Sequence, residues 1–355
     1  MPIPSSLTLN YDAVLASTLF NLHKSWAITD AISTSNALFF KLIKGKQYTG
    51  DAEGNRMQVN LLYAMNTGDS YSGYDQLDTT PQDGMTAGFF NYGQWSVPIA
   101  ISGKEERENK ASATQAFNLL KAKTKQGVLG IQEGFARAFI QGNGPNTATA
   151  IATAFTSISN GSTFIDPLPL LVKYDPTASV SIGNINQSTY TWWRNQTKNS
   201  TSTTYAGFLK EMDNLYNLCS RGPGGVPDLH FVDQNVYELY VAALRNQNRY
   251  TDYKKADLPF ETVAFHSNAV TWDQFVPDAQ NETITGIPVA AAGTWYMLNT
   301  QFFQIKYFLN FEATPFIKPE NQDAKVATML WHGGAGVSNR RKHGVAGGID
   351  TAIAA

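Results

Sequence analysis

Charge is what this sequence has least of. Only 16% of its 355 residues are Asp, Glu, Lys or Arg, against roughly 25% in an ordinary soluble domain. A surface facing water normally carries the charges, so the shortfall points to a surface covered by partners; a monomer coated in Asn, Ser and Thr is the plain alternative. Basic excess is missing too: the net charge is −2, which argues against a reader of nucleic-acid sequence. The single cysteine, Cys219, excludes an intramolecular disulfide framework. No apolar run approaches the roughly 18 residues of a membrane span. The first apolar cluster, Ala13 to Phe20, follows Asp12 and has no basic residues before it, so it is a poor signal peptide. The sequence therefore reads as a soluble chain made in a cytoplasm. The five Asn-x-Ser/Thr sequons, at Asn160, Asn186, Asn195, Asn199 and Asn281, read as surface polar residues.

Catalytic constellations are absent as well. There is no phosphate loop, no G-x-S-x-G elbow and no H-E-x-x-H pair. His23, His230, His266, His332 and His343 lie at no metal-ligand spacing. Cys219 occupies an apolar helix position and reads as a buried structural thiol. Asp75/Asp78 and Glu105/Glu106 are carboxylate pairs of the kind common on loops and charged faces. The glycine-rich pieces Gly222 to Gly225 and Gly333 to Gly336 lack the strand–glycine–helix context of an anion cradle and read as tight turns or close packing. His332, Gly333 and Gly334 interrupt a strand pattern there. The one dense basic run, Arg340, Arg341, Lys342 and His343, reads first as a solvated or salt-bridged segment, with a phosphate contact as the alternative. No catalytic, cofactor-binding or metal-binding residue is assigned.

What is present is aromatic and patterned. Aromatics make up 12%, and Tyr, Trp and Phe are enriched at interface cores. Residues 1 to about 50 read as an extended arm whose apolar anchors (Leu15, Leu19, Phe20; Leu38, Phe39, Phe40, Leu42, Ile43) need another surface to cover them. Period-two alternation follows at Met57, Val59, Leu61, Tyr63 and Met65, and again at Ala87, Phe89, Trp95, Val97, Ile99 and Ile101. These predict two strands joined by a Gly- and Asp-rich tip from Asn66 to Gly84. Such a hairpin cannot bury both faces within its own chain. From Gln115 to Ile140, Phe117, Leu120, Thr124, Val128, Ile131, Phe135 and Phe139 recur at helical steps. At 1.5 Å per residue that helix runs about 39 Å. Gly127, Gly130 and Gly134 inside it point to close packing or a bend. Further helices are predicted over 203–219 and Gln234 to Leu244, with strands at Leu229 to Val232, around Phe303 to Phe311 and at Val326 to His332. The chain is thus mixed α+β, without a βαβ train.

Four stretches, in this order, carry a resemblance. Asp75 to Ala87 is followed by Trp95 to Gly103 and the helix containing Leu119, Leu120, Ala122 and Lys123; near the end stands Ser338 to Gly344. The ordered set resembles the major capsid proteins of tailed bacteriophages. The resemblance implies the Johnson fold, shared with herpesvirus capsid floors and encapsulins. It implies an N-terminal arm (1–50), an extended β-hairpin loop (51–104) and a peripheral domain with a long spine helix (105–202). An axial domain (203–296) and return strands (297–355) complete it. It further implies a subunit, not an enzyme, that assembles as pentamers and hexamers into an icosahedral shell around double-stranded DNA. Assembly in a host bacterial cytoplasm, a virion location, a portal and decoration proteins go with that reading, and the packaged DNA is touched weakly and without sequence preference.

Two departures from the family pattern sharpen the expectation. Met57 to Gly103 contains no Lys, so the isopeptide weld that some members make from this loop is not expected. Some fifty residues precede the hairpin, fewer than a fused scaffolding segment requires, so a separate scaffolding protein is expected. An encapsulin-type compartment shares the fold and is the competing reading. A secreted carbohydrate-active protein is a more distant one.

Overall fold

The structure, a computed structural model, describes residues 37–77, 80–108, 123–131, 134–136, 139–140, 165–246, 263–266, 268–273, 275–276 and 293–353. The start of the arm, His23 and Asp78 lie outside them, as do the first turns of the predicted long helix, including Phe117 to Ala122.

In chain order the elements are α1 (Ala37–Lys44), β1 (Tyr48–Thr49), β2 (Arg56–Leu62), β3 (Met85–Asn91), β4 (Gly93–Ser102) and α2 (Gly103–Glu108). After them come α3 (Leu168–Leu171), β5 (Ser181–Ile182), β6 (Ile185–Asn186), β7 (Gln196–Asn199), α4 (Tyr205–Ser220), β8 (Leu229–Val232) and α5 (Gln234–Asn246). The chain closes with β9 (Val263–Phe265), β10 (Asn268–Trp272), β11 (Gly293–Leu298), β12 (Phe303–Ala313), β13 (Ala324–Val337) and β14 (Gly344–Ile349). They form a four-stranded sheet β1-β12-β13-β4, a six-stranded sheet β7-β14-β11-β8-β10-β9, and the ribbons β2-β3 and β5-β6.

The six-stranded sheet separates two cores, and its sequence shows why it must. Every residue of β8 and of β11 is buried. Alternate side chains go opposite ways: Leu229, Phe231, Tyr296, Leu298 and Val345 enter the core that also holds Phe135 and Trp331. Val232, Trp295, Met297, Ala346 and Ile349 pack under α4 and α5 with Phe208, Leu215 and Val236. A strand covered on both faces has no polar side to alternate with, so it reads as a continuous apolar run. The division expected at 296/297 falls inside β11, and β14 leaves the return strands for this sheet.

The four-stranded sheet is built on β13, whose Trp331 sits opposite Trp95 of β4. Residues 123–131, 134–136 and 139–140 are helical and bury Thr124, Ile131, Phe135 and Phe139, the predicted stripe. Their glycines explain the close approach. A Cβ on Gly127 would lie 2.8 Å from Ile99, and one on Gly134 would lie 3.2 Å from Trp95, so this helix packs on β4 at glycine width. Gly130 faces open space.

Several expectations are corrected. In the arm, Leu38, Phe39 and Leu42 need no foreign surface: they lie on one face of α1 and are buried in the chain's own core, where Phe39 packs on Phe135 and Phe139. The second alternating run is two strands, because Tyr92 breaks it: β3 pairs with β2, and β4 crosses to β13. Within β3 the inward side chain is Phe90, not Phe89. The strand around His332 to Gly334 is not interrupted. Bare backbone at Gly333 and Gly336 instead admits Trp331 and Phe90, whose rings a Cβ would meet at 2.8 Å. In β12 the alternation also fails after Ile305. Register shifts on either side of Leu309, with Phe311 at φ 46°, turn both Asn310 and Phe311 inward.

A candidate assembly site: the hairpin and an arginine-bearing groove

The β2-β3 hairpin is satisfied on one face only. Met57, Val59 and Leu61 are buried, while Arg56, Gln58, Asn60 and Leu62 face out. Its base rests on bare backbone, since Gly336 makes room for Phe90 and Met57 and the Gly183 carbonyl accepts the Phe89 amide. Beyond the strands the tip is laced across: the Thr67 amide donates to Gln82 at 2.8 Å, and the Tyr63 hydroxyl donates to the Asp83 carbonyl at 3.0 Å. Of the fourteen exposed large apolar side chains among the described residues, eight lie on this one hairpin: Leu62, Tyr63, Met65, Tyr71, Tyr74, Leu77, Met85 and Phe89. Scattered apolar residues need no explanation, but a concentration such as this marks a surface that another molecule covers.

Beside the hairpin's base lies a groove of about 460 Å³, walled by residues 60–65, Trp192, Arg221 to Gly224, Phe302 and the turn Ser338 to Lys342. Tyr63 stacks on Trp192 at one rim, with ring centroids 5.0 Å apart. Arg221 and Arg341 stand exposed on its wall.

What shapes that wall is the basic run, and it is not the solvated segment expected. Arg340 is fully buried. Its Nε donates to the Leu171 carbonyl at 2.8 Å, and Nη1 donates to the Trp193 carbonyl at 3.0 Å and to Gln187 Oε1 at 3.2 Å. Nη2 donates to Gln187 Oε1 at 3.2 Å and to Asn195 Oδ1 at 2.9 Å. The five donors of a guanidinium are thus met by neutral oxygens. Burial draws its pKa down to about 9, which leaves it charged at neutral pH. Lys342 turns the other way. Its ammonium donates to the carbonyls of Ser220, Arg221, Gly222 and Gly225 at 3.0–3.4 Å, closing the end of α4, where orphaned carbonyls and the helix dipole favour a cation. Gly222, Gly224 and Gly225 all have positive φ, the conformation that lets their loop wrap the ammonium. His343 is buried and accepts the Asn299 amide at Nδ1. Burial drives its pKa to about 3, so the ring is neutral. Of the four residues, only Arg341 remains free to meet a phosphate.

The other residues singled out in the sequence scatter. Cys219 is buried against Gly344, and burial pushes its thiol to about 12. His230 is a neutral core ring that accepts the Trp295 indole, with its pKa driven to about 3 by burial. His266 pairs with Asp213 at 2.8 Å and stacks on Tyr216, and His332 packs on Phe308. Glu105 and Glu106 do separate work. Glu105 exchanges hydrogen bonds with Ser102 as a capping box at the start of α2, bonds that hold its pKa low, and Glu106 pairs with Lys325. Asp75 is exposed on the hairpin tip, where it accepts the Ser72 amide. Asn195 is a buried ligand of Arg340 and not a surface sequon. No group of His, Cys, Asp and Glu that could hold a metal occurs among the described residues. Nor does any helix there have the length and apolarity to cross a membrane.

Solved structures share this architecture. The cyanophage A-1(L) capsid asymmetric unit superposes with a TM-score of 0.57 at 11% identity, over 84% of this chain and 90% of that one. The fold is a phage-capsid fold. The capsid of Myoviridae phage XM1 matches with a TM-score of 0.52 at 10% identity, covering 87% of this chain and 92% of its own. The capsid of an empty GTA particle gives 0.52 at 11% identity, over 86% and 89%. No family model and no curated protein sequence matches. The capsid fold is therefore visible in backbone arrangement at a level of identity where side-chain identities say little.

Proposed function

We propose that this chain is a major capsid protein of a tailed phage, assembling through pentamers and hexamers into an icosahedral shell that encloses double-stranded DNA. The observation that carries the reading is the concentration of exposed apolar side chains on one hairpin of a chain with a phage-capsid fold. Apolar surface withdrawn from water is worth about 25 cal/mol per Å², and a modest contact repeated around closed symmetry gives a stable shell. In this reading residues 51–104 are the extended loop, the helical residues 123–131, 134–136 and 139–140 belong to the spine, and α4, α5 and their sheet are the axial domain. A separate scaffolding protein and a portal are the further partners the reading entails, and it leaves room for decoration proteins without requiring them. The near-neutral net charge of −2 suits a container that must let DNA slide past.

Electron microscopy of the purified full-length chain tests this. Closed or aberrant shells, sheets or tubes built of rings are the expected result. A chain that stays monomeric in sedimentation at high protein concentration, with and without a scaffold, would refute it. DNA-filled particles support the phage reading, and particles that retain a folded cargo protein favour a compartment instead.

A further inference from the structure

Positive charge gathers around the groove without an acid to meet it. Arg340 and Lys342 lie in and behind its wall, and the oxygens that accept their hydrogens belong to carbonyls and side-chain amides. Arg221 and Arg341 stand exposed on the same wall and have no carboxylate partner among the described residues. The described residues that line the groove include no Asp and no Glu. These cations share one small volume in a chain whose net charge is −2. A cleft lined by charge of one sign, with walls of low dielectric, focuses the field and concentrates counter-ions. The groove is thus built to attract an anion, and a guanidinium fork matches the paired oxygens of a phosphate.

The rim supplies rings. Tyr63 is exposed and stacks on the half-buried Trp192, which lies 5.8 Å from Trp193, and the Arg340 guanidinium sits over the Trp193 ring. Tyr63 is held in place: its amide donates to the Gly84 carbonyl and its hydroxyl to the Asp83 carbonyl. A fixed ring pair with an open face is a platform on which a planar base stacks. At about 460 Å³ the groove has the size of a small-molecule site.

We propose that the groove binds a nucleotide, its phosphate held by Arg221 and Arg341 and its base stacked on the Tyr63–Trp192 pair. An acidic peptide would satisfy the cations and leave the rings unused, and a duplex keeps its bases stacked on each other. A phosphate beside an open base belongs to free nucleotides and to unpaired strands alike. The inference stands on the groove's own residues and does not rest on the shell reading. Lys342 acts as a positioning residue, since its ammonium fixes the Arg221 carbonyl and the loop that follows.

Titration of the full-length chain with ADP, followed by tryptophan fluorescence, tests the site. Saturable quenching is expected, with inorganic phosphate and adenosine each competing more weakly than ADP itself. Arg221→Gln together with Arg341→Gln should weaken ADP binding by about a hundredfold, roughly tenfold for each charge-assisted bond lost. Tyr63→Leu should weaken it by about tenfold, the worth of one stacked ring, and Tyr63→Phe should bind as the parent does. Urea midpoints equal to the parent's show that these variants fold. No saturable binding at millimolar ADP, or binding indifferent to the arginines, overturns the proposal. So does a Tyr63→Leu variant that binds like the parent, which would leave a phosphate site without a base platform. Equal competition by duplex DNA or by polyglutamate overturns it too, in favour of a backbone or a protein partner. Oligothymidylate competing below the ADP concentration supports the site with an unpaired strand as its ligand, and the opposite order supports it with a free nucleotide. Shells without ADP binding defeat the site and leave the shell reading intact; a chain that binds ADP and never assembles does the reverse.

Discussion

Replacing Arg340 should be the most damaging single change in the basic run. Arg340→Ala strips donors from the Leu171 and Trp193 carbonyls and from Gln187 Oε1. Stripping a buried acceptor costs about 1–3 kcal/mol, and three of them plus the vacated volume put the loss at about 4–8 kcal/mol. Native stability is about 5–15 kcal/mol, so this variant should accumulate poorly or unfold at far lower denaturant. Buried ion pairs are often replaced by apolar groups without loss, but that exchange removes both partners. Here the oxygens belong to backbone and amides, and they remain. Arg340→Met therefore fills the space and still leaves them unpaired, for a loss of about 3–5 kcal/mol. Arg340→Lys, whose ammonium cannot span the fork, should lose about 2–3 kcal/mol. Arg341→Ala, at an exposed position, should stay within about 0.5 kcal/mol of the parent. Urea unfolding of the unassembled chain reads all four, followed by tryptophan fluorescence, since the Trp193 ring lies 5.6 Å from the guanidinium carbon. An Arg340→Met variant as stable as the parent would show that the oxygens find water or other donors and would defeat the reasoning.

Three further outcomes follow from particular contacts. Gly127→Ala should destabilise by about 1 kcal/mol or more, because its methyl meets Ile99 at 2.8 Å and overpacking outweighs the gain in helix propensity. Gly130→Ala, facing open space, should stabilise by up to about 1 kcal/mol; thermal melts that rank the two the other way would mean the helix does not lie against β4. The His343 pKa of about 3 is below its unfolded value, so the unfolded chain takes up the proton first and the native state loses stability as pH falls from about 6.5 towards 3. Relative to His343→Leu, the parent should therefore lose about 1.4 kcal/mol per pH unit between about 6 and 4, and a pH-independent difference in urea midpoints would show that the ring is not buried as a neutral group. Finally, particles boiled in SDS should run as one monomer band, because the loop from Met57 to Gly103 has no lysine to weld; a covalent ladder would contradict this.

Much of the architecture was legible where one period ruled a segment. The stripe at Ile131, Phe135 and Phe139 and the helix over 205–220 follow from a three-to-four spacing, and the inner face of β2 follows from strict alternation. The period failed where geometry changes within a strand. A bulge moves Asn310 inward beside the Tyr48 hydroxyl, which donates to it at 2.6 Å, and no local pattern announces a bulge. The arm misled for a different reason. The rings of Phe135 and Phe139 that cover Phe39 lie about a hundred residues away, and composition does not say that they meet.

The basic run misled most, and the reason connects stability to binding. Four consecutive basic or imidazole side chains look like a solvent-facing patch, because burying one charge without a carboxylate is costly. Here that cost is offset by oxygens gathered from distant places: Leu171, Gln187, Trp193 and Asn195 around Arg340, and the end of α4 around Lys342. Sequence adjacency at 340–342 thus ties together elements well over a hundred residues apart, in a turn where alternate side chains point inward and Arg341 points out. The two inward cations fix the wall, and the outward one is displayed on it. A charge change at Arg341 should therefore alter binding and leave unfolding untouched, whereas a change at Arg340 or Lys342 should disturb both. The positions that lower binding without lowering stability thereby mark the part of the wall that a ligand reads.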